Sequence, residues 1–342
     1  MLLHSSGRSA TCRVMRIPLD AIREAAQRTA PHVHRTPMLS SRTLGRRAGV
    51  RLDLKCESFQ KTGSFKPRGA LNIVLSLSDE QRARGLVTVS AGNHAQAVAW
   101  AARIVGVPCA VVMPSDAPRS KTDAVRGYGA TVIAHPDRAT LFDRMHEEEA
   151  RTGATFVHPF DDPVGIAGAG TVGLEIVEQA TDVERVVVPI GGGGLMAGVT
   201  CAVKALRPRC RVIGVELAAG PGMTPALAAG KPVSVTRPST LADGLGPPFV
   251  GALPLEIAQQ ALDDLVLVTE EEIMEAMRML LVRAKLYVEG SGAAATAALI
   301  AGKVKLPDGA KVVAIVSGGN VDPERALALF APGATNATEM RS

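Results

Sequence analysis

Aromatic residues are scarce in this chain, at 3 % of its 342 residues. Proteins that bind single-stranded nucleic acid stack bases on such side chains, so few stacking positions are available. The net charge of +5 does not point to nucleic acid either. Arg8, Arg13 and Arg16 supply three of those charges within the first sixteen residues, which contain no acid. The low aromatic content and the position of the positive charges therefore argue against nucleic-acid binding.

Cysteines are few, and their number is odd. None forms a C-x-x-C pair, and most lie in apolar stretches where cysteine behaves as a small hydrophobe; they are Cys12, Cys56, Cys109, Cys201 and Cys210. This pattern predicts a cytoplasmic protein without disulfides or structural zinc. No run of about 18 apolar residues exists for a membrane span, and residues 1–3 are too short for the apolar region of a signal peptide.

The length suggests about two domains. From residue 52 onward, short β-branched runs alternate with helical periods, a pattern typical of a parallel sheet covered by helices. The predicted strands are 86–89, 109–113, 131–133, 155–158, 185–189, 211–216, 265–268 and 312–316. The predicted helices are 65–77, 95–105, 139–151, 194–206, 270–285 and 292–300. Thr269 and Glu272 form a capping box that marks the clearest of these helices, and residues 220–248 predict a partly irregular surface excursion.

In open parallel sheets, ligands bind at the carboxyl ends of strands. Gly191, Gly192, Gly193 and Gly194 follow one predicted strand and precede a helix that begins near Leu195. Their amides lie at the positive end of the helix dipole and suit a phosphate. Neither a Walker loop nor G-x-G-x-x-G fits, because no G-K-[ST] follows and Met196 occupies the sixth position. A tight strand-to-helix turn remains the alternative interpretation.

A second motif places a lysine at a helix start. Ser64 is a candidate N-cap, and Pro67 is tolerated in the first turn, so Lys66 lies where the helix dipole disfavours a cation. The same field lowers the pKa of the amine and favours a neutral nucleophile. The alternative is an ordinary surface lysine at a helix end, but the glycines and Phe65 that flank Lys66 make this loop unusual.

Two further loops follow predicted strands. Residues 90–94, Ser-Ala-Gly-Asn-His, combine backbone amides, a hydroxyl and a side-chain amide, and so predict a pocket for a carboxylate. His94 is either a general base or a residue that caps and packs the helix start. Residues 317–320, Ser-Gly-Gly-Asn, offer the neutral hydroxyl of Ser317 among backbone donors.

Taken in their order along the chain, with the lysine segment first and the four glycines third, these four motifs make residues 17–330 closely resemble the threonine/serine dehydratases and serine racemases of pyridoxal-phosphate fold type II. The resemblance implies an α/β fold of two open, mostly parallel twisted sheets with helices on both faces and an active site between a large and a small domain. The expected large, cofactor-binding domain comprises 15–80 and 161–335, and the small domain comprises 81–160. Residues 1–14 and 336–342 are expected to be tails, with Met1 or Met15 as the native start.

The resemblance also implies roles for the motif residues. Lys66 would form the Schiff base with pyridoxal 5′-phosphate, Phe65 would pack beside its ring, and Asn93 would bond its phenolic oxygen. The amides of Gly191 to Gly194 and Leu195 would hold the phosphate, and Ser317 would meet the pyridine nitrogen. The substrate carboxylate would bind at Ser90, Ala91, Gly92, Asn93 and His94. These groups are what a pyridoxal-phosphate amino-acid enzyme needs.

The implied activity is dehydration and deamination of L-threonine or L-serine to 2-oxobutanoate or pyruvate and ammonia, by a short, catabolic type of enzyme that acts as a homodimer or homotetramer. Serine racemases place a serine where this chain has Ala91, which favours elimination over racemisation. A racemase, or a dehydratase of hydroxyaspartate or phenylserine, remains an alternative, the last because Leu141 and Phe142 are apolar. Glu216 is a candidate ligand for a cation, although Gly222 stands where a second acid is expected. The alternative is that Glu216 is a solvated charge at the end of its strand.

Overall fold

A computed structural model describes residues 16–236 and 239–329. The expected tails, Cys12 and the alternative start Met15 lie outside these residues. The strands are β1 Met38–Ser40, β2 Arg51–Cys56, β3 Leu86–Val89, β4 Cys109–Pro114, β5 Thr131–His135, β6 Thr155–Phe156, β7 Arg185–Pro189, β8 Arg211–Leu217, β9 Asp264–Val268 and β10 Lys311–Val316.

The helices occupy most of the chain between the strands. In order they are α1 Leu19–Thr29, α2 Arg42–Ala48, α3 Lys66–Ser76, α4 Asp79–Ala83, α5 Asn93–Val105, α6 Arg119–Gly127, α7 Leu141–Thr152, α8 Pro163–Gln179, α9 Gly194–Leu206, α10 Met223–Ala229, α11 Ala252–Ala261, α12 Glu270–Met279, α13 Gly290–Ile300 and α14 Pro323–Ala328.

The strands form two sheets. One has the order β1-β2-β10-β7-β8-β9 and the other β5-β4-β3-β6. Every neighbouring pair is parallel except β1 and β2. The expected α/β class with two mostly parallel sheets is therefore confirmed, and the strands of the smaller sheet all lie between residues 86 and 156.

Strand β2 was not among the predicted strands, although it lies inside the larger sheet. It pairs with β10 along its whole length. Its side chains include the charged Asp53 and Lys55 between apolar residues, so its sequence does not read as a continuous apolar run. Both charged side chains are nevertheless buried, because ion pairs with Lys311 and Glu175 satisfy them.

Helix α8 is the longest element that the sequence did not predict. The Oδ1 of Asp162 caps it by accepting a hydrogen bond from Gly165 N at 2.7 Å. Glycines lower helix propensity, but here they permit close packing. A Cβ on Gly168 would lie 2.4 Å from the Arg68 carbonyl oxygen of α3, and one on Gly170 would lie 3.0 Å from the Gly198 carbonyl oxygen of α9. The close packing of α8 against α3 and α9 therefore outweighs the low helix propensity of its glycines.

Helix α12 begins as predicted. Thr269 Oγ1 accepts a hydrogen bond from Glu272 N, and Glu272 Oε2 accepts one from Thr269 N, which completes the capping box. The α-helix ends at Met279 and continues as one π-helical turn, Leu280–Ala284, before Lys285 adopts a φ of 61°.

The excursion predicted for residues 220–248 is only partly at the surface. It contains α10 and a 3₁₀ turn, Asp243–Leu245, and it buries Ala242 and Leu245 in the core of the larger sheet. Within the described ranges, no helix has both the length and the apolar character needed to traverse a bilayer.

Candidate active site

The sheet topology brings three of the four motifs together. Strands β2, β10 and β7 are neighbours in the larger sheet, and their carboxyl ends lead into residues 57–65, 317–320 and 191–194. Backbone contacts join the first two loops: Ser64 forms a bridge with Gly318, and Phe65 N donates to Ser317 O at 3.1 Å. The fourth motif follows β3, a central strand of the smaller sheet.

Lys66 is the first residue of α3. Its Nζ donates to the Pro159 carbonyl oxygen at 2.7 Å and lies 5.1 Å from the centre of the Phe65 ring. Burial lowers the pKa of Lys66 to about 8, because the charged form is poorly solvated there. The pKa is therefore lowered in the expected direction, and burial is the cause.

The expected N-cap is wrong. Phe65 holds the N-cap position without a side-chain hydrogen bond. The hydroxyl of Ser64 is buried and has no partner among the residues that the structure describes. Pro67 stands in the first turn as predicted, and the ordered start of α3 comes from the bond between Phe65 N and Ser317 O rather than from a cap.

The four consecutive glycines form a loop that admits no side chain. A Cβ would lie 2.3 Å from the Gly244 carbonyl oxygen at Gly191, and 2.2 Å from the Phe160 ring at Gly192. Gly193 has a φ of 94°, in the region that favours glycine. Helix α9 starts directly at Gly194, so the loop places free amides at the positive end of a 13-residue helix.

One cavity joins the lysine to this helix start. Its lining includes Phe65, Lys66, His94, Phe160, Gly194 and Leu195. A buried amine on one wall and helix amides on another match the two ends of pyridoxal phosphate, its aldehyde and its phosphate. The residues present therefore fit that group.

Residues 90–92 connect β3 to α5, and Asn93 and His94 are the first two residues of α5. Ser90 Oγ accepts a hydrogen bond from Gly92 N at 3.1 Å, and Gly92 faces open space where its Cβ would be. Ala91 is partly buried. This helix start therefore leaves backbone accessible to a small anion.

His94 lies in the same turn but is buried. Its Nε2 lies 3.0 Å from Val157 O, a contact that requires a proton on Nε2. Burial holds the pKa of His94 well below its usual value. The imidazole is therefore neutral and anchored to the strand end, which agrees with the packing interpretation.

Asn93 belongs to a network that the sequence did not reveal. Its Nδ2 donates to Glu289 Oε1 at 2.6 Å, and its Oδ1 accepts from Asn320 Nδ2 at 2.7 Å. Burial, with a smaller contribution from the carboxylate of Asp243, raises the pKa of Glu289 to about 8. In the sequence, the only sign of this network is Glu289 itself, an acid at the start of a glycine- and alanine-rich helix.

Ser317 directly follows β10, as expected. Its hydroxyl is buried and donates to the Ser291 carbonyl oxygen at 3.3 Å. It therefore presents a neutral group beside the loop that begins α3.

A buried ion network supports the start of α3. Arg68 is 1 % exposed and donates to Glu57 and Glu175, each at 2.7 Å, and Lys55 pairs with the same Glu175. No local pattern indicates that these four charges meet, because they lie on β2, the following turn, α3 and α8.

Glu216 does not have the surroundings of a metal ligand. Its two carboxylate oxygens accept hydrogen bonds from the backbone of Gly222, Met223 and Thr224 and from the Thr224 hydroxyl. Glu216 is 2 % exposed, so it is not a solvated strand-end charge either. In the described part of the chain, no group of three or more His, Cys, Asp or Glu could hold a metal ion. Glu216 therefore fixes the start of α10.

Comparison with known proteins agrees with this geometry. The model of the family described as "Pyridoxal-phosphate dependent enzyme" matches residues 29–318. An L-threonine ammonia-lyase of Thermotoga maritima is 46 % identical over 310 residues, which cover 90 % of this chain and 76 % of that protein. The catabolic L-threonine dehydratase TdcB of Escherichia coli is 43 % identical, with coverage of 90 % and 94 %.

Comparison with solved structures also finds a relative that is similar over most of the chain. Maize serine racemase superposes with a TM-score of 0.86 at 40 % identity, covering 90 % of this chain and 94 % of that chain. The family match spans the lysine, the glycine loop and residues 90–94. The chain therefore belongs to the family of pyridoxal-phosphate-dependent enzymes.

Proposed function

We propose that this chain is an ammonia-lyase that dehydrates and deaminates L-threonine or L-serine to 2-oxobutanoate or pyruvate. The observation that carries the proposal is the buried Lys66 amine, which lines one cavity with the glycine-loop helix start. The relatives named for threonine ammonia-lyase and catabolic threonine dehydratase support this reaction class.

Pyridoxal phosphate, when bound, supplies an electron-withdrawing ring that acidifies the α-proton of an amino acid. Lys66 is the residue that would hold it covalently, and its amine is the base in reach of that proton. Because the pKa of Lys66 is about 8, a useful fraction of the amine is neutral near pH 7.5. The Pro159 carbonyl oxygen, 2.7 Å from Nζ, orients the amine when it is free.

The start of α5 would bind the substrate carboxylate. The dipole of this 13-residue helix favours an anion at its first amides, and Gly92 leaves space for it. Because His94 is neutral, it adds no positive charge to the carboxylate site. In this arrangement, substrate binding depends on backbone amides and on Ser90 and Asn93 rather than on an arginine.

Ser317 would face the pyridine nitrogen. A serine hydroxyl can bond that nitrogen but, unlike an aspartic acid, does not stabilise its protonated form. Bound beside Ser317, the ring would supply a weaker electron sink, so that loss of the β-hydroxyl as water would follow promptly once Lys66 takes the α-proton. This favours elimination over slower alternatives such as transamination.

Racemisation is the second candidate because serine racemases are similar to this chain. It requires a proton donor on the face opposite Lys66. The methyl group of Ala91 cannot deliver a proton, so elimination remains the favoured outcome.

The aromatic side chains beside the cavity keep phenylserine as another candidate substrate. Phe249 contacts both Phe142 and Phe160, each with ring centres 5.6 Å apart, and Phe160 lines the cavity. Leu141, by contrast, is buried in the core of the smaller sheet.

A substrate panel tests the proposal. The purified holoenzyme would be assayed with L-threonine, L-serine, hydroxyaspartate and phenylserine, with 2-oxo acid and ammonia as products. Lys66→Ala is expected to abolish turnover, whereas Lys305→Ala, at an exposed lysine, is the matched control. Turnover that survives in Lys66→Ala, or a wild type inactive on all four substrates, contradicts the proposal.

We further propose the two-domain division at about residues 80 and 160, a cytoplasmic location and a homodimer or homotetramer. The four described cysteines are free and buried, as suits a reducing compartment. Phe59 and Tyr287 are 49 % and 43 % exposed, which is compatible with an interface. Light scattering on the purified protein would measure the assembly.

A further inference from the structure

The turn over residues 158–162 joins β6 of the smaller sheet to α8 and contacts the site at two points. The carbonyl oxygen of Pro159 accepts the hydrogen bond from Lys66 Nζ. The ring of Phe160 packs against Gly192, so that a Cβ there would lie 2.2 Å from it. The conformation of this turn therefore determines the position of the Pro159 carbonyl oxygen that accepts the hydrogen bond from the Lys66 amine.

His158 holds the first half of the turn. Its Nδ1 accepts hydrogen bonds from Phe160 N at 3.2 Å and from Asp161 N at 2.8 Å. A ring nitrogen that accepts from two backbone amides carries no proton of its own. Burial lowers the pKa of His158 to about 4, so the imidazole stays neutral, and Nδ1 stays an acceptor, at neutral pH.

The second half of the turn is anchored without His158. The Asp161 carboxylate accepts from Ala252 N at 2.9 Å and from Leu253 N at 3.0 Å, at the start of α11. Asp162 caps α8. Loss of the His158 acceptor would therefore release the segment that carries Pro159, while both helix starts would keep their caps.

We propose that His158 is a positioning residue for Lys66: its Nδ1 fixes the turn that aims the Pro159 carbonyl at the lysine amine. The inference rests on the proposed function, in which Lys66 is the reacting amine. His158 acts through the backbone rather than by proton transfer, because Nδ1 is already engaged by two donors.

The test compares two substitutions of similar size. His158→Asn places an amide oxygen near the position of Nδ1, whereas His158→Leu offers no acceptor. His146→Leu removes an exposed histidine that also contacts Phe156 and serves as the control. The readouts are the rate of pyridoxal-phosphate uptake by each apoenzyme at pH 7.5, kcat and KM for threonine, and the unfolding temperature.

We expect His158→Leu to slow uptake and lower kcat by about tenfold, the effect of losing the one hydrogen bond between Lys66 Nζ and Pro159 O, with little change in KM. His158→Asn should stay within about threefold of the wild type, as expected when the acceptor is restored, and His146→Leu should match the wild type. Should His158→Leu fail to fold, His158→Gln replaces it, because its amide oxygen lies one carbon farther from the backbone.

Two results overturn the inference alone: uptake by His158→Leu at the wild-type rate, or equal slowing in His158→Asn and His158→Leu. A wild-type apoenzyme that takes up no pyridoxal phosphate overturns the proposed function, and this inference with it. The two failures are therefore distinguishable in one experiment.

Discussion

Replacing Lys66 by methionine should stabilise the apoenzyme at neutral pH. Burial lowers the pKa of Lys66 from 10.5 to about 8, so the folded chain releases this proton more readily than the unfolded chain does. Between these two pH values the unfolded state binds more protons, and the free energy of unfolding therefore rises with pH. Below pH 8 the buried ammonium destabilises the fold by up to about 3 kcal/mol.

Lys66→Met removes that charge, so its gain over the wild type should be largest below pH 8 and should shrink towards pH 10.5. Denaturant unfolding of the two apoenzymes at several pH values measures the difference, with Lys305→Met as the control at an exposed site. A difference that does not change with pH would refute the argument that burial depresses this pKa.

The same shift predicts how fast the apoenzyme captures its cofactor. At pH 7.5 about a quarter of the Lys66 amine is neutral, roughly two hundredfold more than for an unperturbed lysine. Capture, followed by the visible absorbance of bound pyridoxal phosphate, should rise about tenfold per pH unit below pH 8 and then level off. A rise that continues towards pH 10 would contradict this expectation.

Four substitutions test other parts of the site and fold. Gly192→Asp puts a carboxylate into the glycine loop and should weaken pyridoxal-phosphate affinity by about two orders of magnitude or more; unchanged affinity in a titration would place the phosphate elsewhere. Ser317→Ala should lower kcat without preventing cofactor uptake, and normal kinetics would dismiss its role at the ring nitrogen. Ala91→Ser should raise the share of D-serine formed from L-serine, read by chiral chromatography; rapid D-serine formation by the wild type would count against the argument from Ala91. Gly168→Ala forces a Cβ to within 2.4 Å of a backbone oxygen and should destabilise the fold by about 1–3 kcal/mol, whereas Gly127→Ala, with open space around it, should not; equal melting temperatures would argue against the close helix contact.

Local signals predicted much of the site. The four glycines join a strand and a helix whose bounds were predicted correctly, 185–189 and 194–206, because the apolar runs and the glycines indicate the same boundaries there. Residues 90–94 were also placed correctly after a strand and at a helix start, although the helix begins at Asn93, two residues earlier than predicted. In both cases the chemistry lies in residues adjacent along the chain.

The supporting contacts could not be predicted in this way. Glu289 reaches Asn93 across 196 residues, and Glu175 reaches Arg68 across 107. Nothing in the sequence near either acid indicates its partner. Helix α8 was missed for a related reason, since its glycines reduce helix propensity and gain their value only against α3 and α9.

The capping expectation at Ser64 failed because α3 starts one residue later, with Phe65 at the N-cap position, and because Pro67 has no N–H to donate to a serine cap. Phe65 N instead bonds Ser317 O of the loop after β10. Neither interpretation of Glu216, as a cation ligand or as a solvated charge, matches its surroundings, because the start of α10 folds back onto its carboxylate. Such return contacts depend on tertiary structure.

The position of β10 has a consequence for biosynthesis. This strand, Lys311–Val316, inserts between β2 and β7, which are complete by residues 56 and 189. On a ribosome, the two earlier strands must wait for more than a hundred further residues before their neighbour arrives, so their facing edges stay open in the interim. Unpaired edges of this kind invite association between nascent chains. The lysine loop and the glycine loop therefore reach their final spacing only when synthesis is nearly finished, and a chain stalled before residue 311 carries both motifs without a site.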